Sequence, residues 1–199
     1  MLDELLQVLP LYRELGFFSG LSDLTDAGLA EHLRHQYCTV AAPGFELRTS
    51  FPGWDIALLA MDDDRAWWYD SECVFKDDKV YAQLIERLGR ISRGTFQPTD
   101  VEEEWEGDFG PIHIRFRVQG EQHKIDLGEM ATDFMELGVL EYLSALIKAS
   151  TPYQVVRLST GDQTEFIVML SADERERLKR ERPALFDFGD EYGPGPRSH

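Results

Sequence analysis

A chain of 199 residues with 37 Asp and Glu against 20 Lys and Arg carries a formal charge of −17, and 43% of it is hydrophobic. That apolar content is enough to offset chain entropy in a folded core, which excludes global disorder. The negative charge repels nucleic acid and anionic membrane at long range and attracts basic partners.

The opening residues, MLDELLQVLPLYREL, place Leu2, Leu5, Leu6, Leu9 and Tyr12 at helical spacing. Pro10 has no amide hydrogen and predicts a split or kink in this helix. Acids come early and no basic region precedes the apolar run, so the segment does not read as a secretory leader. GFFSG, 16–20, is the break, and Ser22 or Thr25 can cap a second helix to about Tyr37 with Leu29 and Leu33 inward. On that helix His32, His35 and Cys38 are spaced three apart, as metal ligands on one face would be. No fourth ligand is in reach, and an ordinary helix surface is the simpler reading. Residues 38–53 read as a loop with one short strand, FELRTSF.

WDIALLAM, 54–61, has the pattern of a buried strand, DDDR the pattern of a turn, and AWWYDSECVF, 66–75, begins as the returning strand. Asp77 or Asp78 is placed to cap a helix from about Lys79 to Ser92, striped by Val80, Leu84, Leu88 and Ile91. A strand over Val101 to Glu106, a turn at GDFG (107–110) and the alternating strand IHIRFRV (112–118) follow.

The register of that hairpin follows from its apolar face. Trp105 opposes Ile112, Glu103 opposes Ile114 and Val101 opposes Phe116, while Glu104 meets His113 and Glu102 meets Arg115. A slip by one residue would bury Glu102, Glu104 and Glu106. The register leaves Glu103 pointing inward, an acid without an evident partner. A tight turn at Gly120-Glu121 returns the chain as HKIDL, 123–127, with Asp126 opposite Arg115.

An apolar helix is predicted over 130–149, including Phe134. Strands at 153–159 and 165–171 flank a turn, and Ser171 with Glu174 forms a capping box for a last helix that ends before Pro183. Residues 54–92 and 153–181 then share the order strand, turn, strand, helix, a common unit rather than a sequence repeat. The predicted class is α+β, mainly antiparallel hairpins with helices packed on them and a helical N-terminal segment. One domain over 1–188 is expected, with 93–100 as the place where it would divide and 189–199 as a flexible tail.

No glycine-rich phosphate loop with its lysine, no G-x-S-x-G and no Cys–His arrangement of known type is present, so no catalytic residue is assigned. Asp62, Asp63 and Asp64 form a triple-acid turn with Asp70 close behind, oxygen ligands of the kind hard cations take, but without calcium-loop spacing. No metal and no cofactor is assigned. Trp67 and Trp68 are adjacent on a strand and must face opposite ways, which leaves one in reach of a partner.

VEEEWEGDFG, 101–110, packs five carboxylates around Trp105. Its simplest reading is a salt-bridged, solvated sheet face; the sharper reading is a docking surface. The leading expectation is a protein-interaction module, inhibitor- or immunity-like, that binds a basic protein. Its surface would comprise Asp62, Asp63, Asp64, Trp67, Trp68, Glu102, Glu104 and Trp105. Two other readings stand beside it: a metal-dependent enzyme using the Asp62–Asp70 carboxylates, and a scaffold that self-associates through an exposed tryptophan. Two cysteines, Cys38 and Cys73, make no disulfide framework, and no apolar stretch reaches about 18 residues, so a cytoplasmic soluble protein is expected.

Overall fold

A computed structural model describes residues 2–42, 54–72, 74–160 and 164–186. The predicted strand FELRTSF, Cys73, the turn at 161–163 and the tail 189–199 lie outside those residues. The chain is α+β, with two three-stranded antiparallel sheets and helices on their faces.

Two helices open the fold, α1 (Leu2–Glu14) and α2 (Asp26–Gln36). Pro10 does not split α1, which runs unbroken through it. Leu5, Val8, Leu9, Leu11 and Tyr12 are buried on both sides of the proline, and that packing outweighs the one lost backbone bond. Thr25 caps α2, its Oγ1 accepting from the Gly28 amide at 3.2 Å.

WDIALLAM is not a strand. It forms a short helix, α3 (Trp54–Leu59), which buries Asp55, Leu58 and Leu59. A short apolar run fits either element by periodicity, and long-range partners of Asp55 decide it here. The strand β1 (Ala66–Asp70) therefore has no hairpin partner before it. It pairs instead with β6 (Thr164–Ser171), Ala66 opposite Val168 and Asp70 opposite Thr164. The predicted likeness of 54–92 to 153–181 disappears with the missing strand.

The first sheet has the order β1-β6-β5, with β5 spanning Tyr153–Leu158. Central β6 is buried on both faces. Phe166, Val168 and Leu170 meet the core built with α1, α2 and α3. Ile167 and Met169 meet a second core, built with α4 (Val80–Ile91), the second sheet and α5 (Leu137–Ser150). Arg65, 3% exposed, donates to the carbonyls of Leu15 and Met169 and so pins the entry of β1 to both α1 and β6. A charged helix, α6 (Ala172–Glu181), follows β6 and starts with the predicted Ser171–Glu174 capping box.

The second sheet is a meander of β2 (Pro98–Trp105), β3 (Ile112–Val118) and β4 (Glu121–Leu127). Trp105 opposes Ile112, Glu103 opposes Ile114, Glu104 opposes His113 and Glu102 opposes Arg115, the register expected from the apolar face. The Val101–Phe116 pairing is lost to an irregularity between Thr99 and Glu102. The β3–β4 turn lies one residue earlier than predicted. Its central residues are Gln119 and Gly120, both at positive φ (53° and 85°), as a two-residue primed turn requires. Arg115 consequently opposes Lys124, and His113 opposes Asp126.

The predicted helix over 130–149 begins only at Leu137. Upstream of it the backbone is engaged elsewhere: the Val74 amide donates to Asp133 O at 2.8 Å and the Met135 amide to Ser71 O at 2.9 Å. Phe134 is left exposed. No helix among the described residues is long and apolar enough to cross a membrane.

Candidate acidic groove

The inward acid of β2 defines the site. The N-cap of helix α4 is Lys79, a left-handed residue (φ 49°) whose side chain makes no capping hydrogen bond. Asp77 and Asp78, the predicted caps, lie instead in a 3₁₀ turn and are exposed. Glu103 supplies the missing acceptor from across the groove: its Oε2 accepts from the Ala82 amide at 2.8 Å and its Oε1 from Trp105 Nε1 at 2.8 Å. An anion at a helix N-terminus also meets the positive end of the helix dipole. Replacing Glu103 by alanine orphans both donors and is expected to cost about 1–2 kcal/mol, as loss of a good cap does. A thermal melt should then shift down by about 2–8 °C; an unchanged midpoint would show that water caps α4 equally well.

Clamped this way, the first turns of α4 and strand β2 bound a groove of about 590 Å³. Asp77, Asp78, Glu86, Glu102, Glu103 and Glu104 line it, with Lys79 as the one cation among the described residues there. Three of those acids are engaged: Glu103 as described, and Glu104 and Glu102 toward Arg115 at 3.0 and 4.0 Å. Asp77, Asp78 and Glu86 make no ion pair with any other described residue.

The outer face of the second sheet is a charge mosaic. His113 bridges Asp126 (Nδ1, 2.7 Å) and Glu106 (Nε2, 2.8 Å), and hydrogen bonds to those two carboxylates raise its pKa. Lys124 reaches Asp126 at 2.9 Å and Arg117 reaches Asp100 at 3.5 Å. The acidic stretch therefore divides by strand alternation into a paired outer face and one capping acid inside.

The other predicted site residues do not join this surface. Asp62 accepts from the amide of Phe18, and burial raises its pKa. Asp64 pairs with Arg90 at 3.0 Å, Asp63 is exposed, and Asp70 accepts from the Glu72 amide. These carboxylates turn to separate partners, and no group of three or more His, Cys, Asp or Glu among the described residues is placed to hold a metal ion.

Arg90 sits in the last turn of α4 and Ala82 in the first, so the Asp62–Asp64 turn and the groove are about 12 Å apart along the helix axis. Trp67 stacks on Tyr69 at 4.6 Å against the second core, while Trp68 faces the other way and is 56% exposed. Trp105 lies on the inner face beside Glu103. Only Glu102 and Glu104 of the eight predicted residues line the groove. Asp77, Asp78 and Glu86 were missed: the first two carry a local capping signal, and Glu86 stands on the solvent side of the α4 stripe. Comparison with protein-family models, with curated proteins and with solved structures finds no significant match to this chain.

Proposed function

We propose that this chain is a protein-interaction module, inhibitor- or immunity-like, that binds a basic protein through the groove between α4 and β2. The observation that carries this reading is six carboxylates facing one lysine in a single concave surface, three of them without an ion-pair partner among the described residues. Those three are spare in the structural sense: among the described residues, neither Asp77, Asp78 nor Glu86 serves as a side-chain cap or joins an ion pair. They project a negative field that steers a cationic partner, and Glu102 and Glu104 can then exchange Arg115 for the partner's cations. A cytoplasmic setting suits the reading, in keeping with the free thiol of Cys38.

The test is affinity capture from the native host's lysate with a salt step, followed by association kinetics on the released partner. Asp77→Asn/Asp78→Asn/Glu86→Gln is expected to slow association about tenfold or more at low salt and to flatten its salt dependence. Asp63→Asn, outside the groove, should leave the rate unchanged. Equal rates for the groove variant and the parent chain would remove the groove from the model.

A further inference from the structure

Next to the groove is a surface that charge does not explain. Three loops meet there: the residues after β1, the β2–β3 turn, and the segment leading to α5. They enclose a cleft of about 180 Å³ whose walls are Val74, Phe75, Phe109 and Met130, with Asp108 and Asp133 on the rim. Phe75 is 55% exposed and Phe109 73% exposed. Backbone bonds hold them there: Met130 N–H donates to Phe109 O at 2.7 Å, and Val74 N–H to Asp133 O. The aromatic display is thus preorganised, with buried Val74 and an adaptable methionine, Met130, beside it.

We infer that the basic partner bridges the two features, placing cations in the acidic groove and one leucine- or phenylalanine-sized side chain in the Phe75–Phe109 cleft. The inference rests on the groove reading above. Volume supports it, since an apolar cavity of about 150 Å³ takes up benzene. Continuity supports it too, because two stretches of chain link the features. Phe75 lines the cleft while Asp77–Lys79 line the groove, and Glu102–Glu104 lead through Glu106 to Asp108 and Phe109. Charge selects the occupant. A second copy of this chain would bring its own −17 and its own acidic rim to the contact, whereas Lys or Arg flanking an apolar residue meets Asp108 and Asp133.

The experiment uses two fluorescent nonapeptides, lysine at every position except a central leucine or a central alanine, with binding read by anisotropy. The leucine probe is expected to bind about tenfold tighter. Phe75→Ala/Phe109→Ala should abolish that preference while leaving the alanine probe unchanged, and the exposure of both rings makes the variant safe for folding. Asp77→Asn/Asp78→Asn/Glu86→Gln should weaken both probes alike. Equal binding of the two probes by the parent chain would overturn the anchor and leave the groove standing, and so would a leucine preference that survives loss of both phenylalanines. Affinity for both probes unchanged in the groove variant would remove the groove, and with it the bridging partner. A dimer seen by sedimentation in the parent chain and absent from the phenylalanine variant would assign the cleft to a second copy and overturn the inference.

Discussion

Truncating Phe166 to alanine is expected to lower the unfolding free energy by about 3–5 kcal/mol, and truncating its neighbour Ile167 by about 2–5 kcal/mol. Both side chains are fully buried, but they point into different cores. Because β6 is a wall of each core, both variants should still melt in one cooperative transition. Its midpoint should fall by about 2–4 °C per kcal/mol lost. Helical ellipticity and tryptophan emission should move together, since Trp54 packs on the first core and Trp67 and Trp105 on the second. Two separated transitions, with Phe166→Ala shifting one and Ile167→Ala the other, would show that the cores unfold independently. The 93–100 segment favours cooperativity: Phe96 is fully buried in the second core, and the Ser92 hydroxyl donates to Phe96 O at 3.0 Å while accepting from the Phe96 amide at 3.1 Å. Those contacts fasten the segment to the second core.

What the sequence made legible was what short-range periodicity controls. IHIRFRV alternates cleanly, so the β2–β3 register could be read from which face must stay apolar. The same logic marked Glu103 as an inward acid. Its partner could not be read, because the Ala82 amide lies 21 residues upstream on another element. α3 was misread for a related reason. Over so few apolar residues helix and strand look alike, and the contacts that settle the matter span 43 and 127 residues. Likewise the partner of β1 is a strand nearly a hundred residues away, while a hairpin with its immediate neighbour was the local default.

The candidate site was obscured by the same bias toward local explanations. Acids just before a helix are good caps, so Asp77 and Asp78 were spent on α4 in a local reading, although the fold delegates that role to Glu103. Once Glu103 is the cap, Asp77 and Asp78 lose their structural task and Glu86 acquires neighbours of like charge. The converse happened at the triple-acid turn. Asp62 and Asp64 stood out as a cluster, but the fold uses one to hold the Phe18 amide and the other to meet Arg90. An acid's availability to a partner is thus set by which long-range donor claims it, and local charge density does not reveal that.

Asp55→Ala is expected to be as damaging as a large core truncation, at about 3–5 kcal/mol, because it strands two polar groups at once. Asp55 is 5% exposed. Its Oδ1 accepts from the Tyr12 hydroxyl at 2.7 Å, and its Oδ2 accepts from Arg182 through Nε at 3.1 Å and through Nη2. Burial first, and then the Asp55 charge, push the Tyr12 hydroxyl above its ordinary pKa, so it remains a donor. Arg182 also lies over the Trp54 ring at 5.2 Å, so one carboxylate ties α1, α3 and the end of α6 together. Asp55→Asn keeps an acceptor for Tyr12 and removes the charge facing Arg182, and a smaller loss of about 1–3 kcal/mol follows. Urea melts of Asp55→Ala, Tyr12→Phe and the double variant form the decisive cycle. Removing the hydroxyl should cost little once its acceptor is gone, giving a coupling of about 0.5–3 kcal/mol. A loss below about 1 kcal/mol for Asp55→Ala, with additive singles, would mean that water replaces the carboxylate and that apolar packing alone holds α3 against α1.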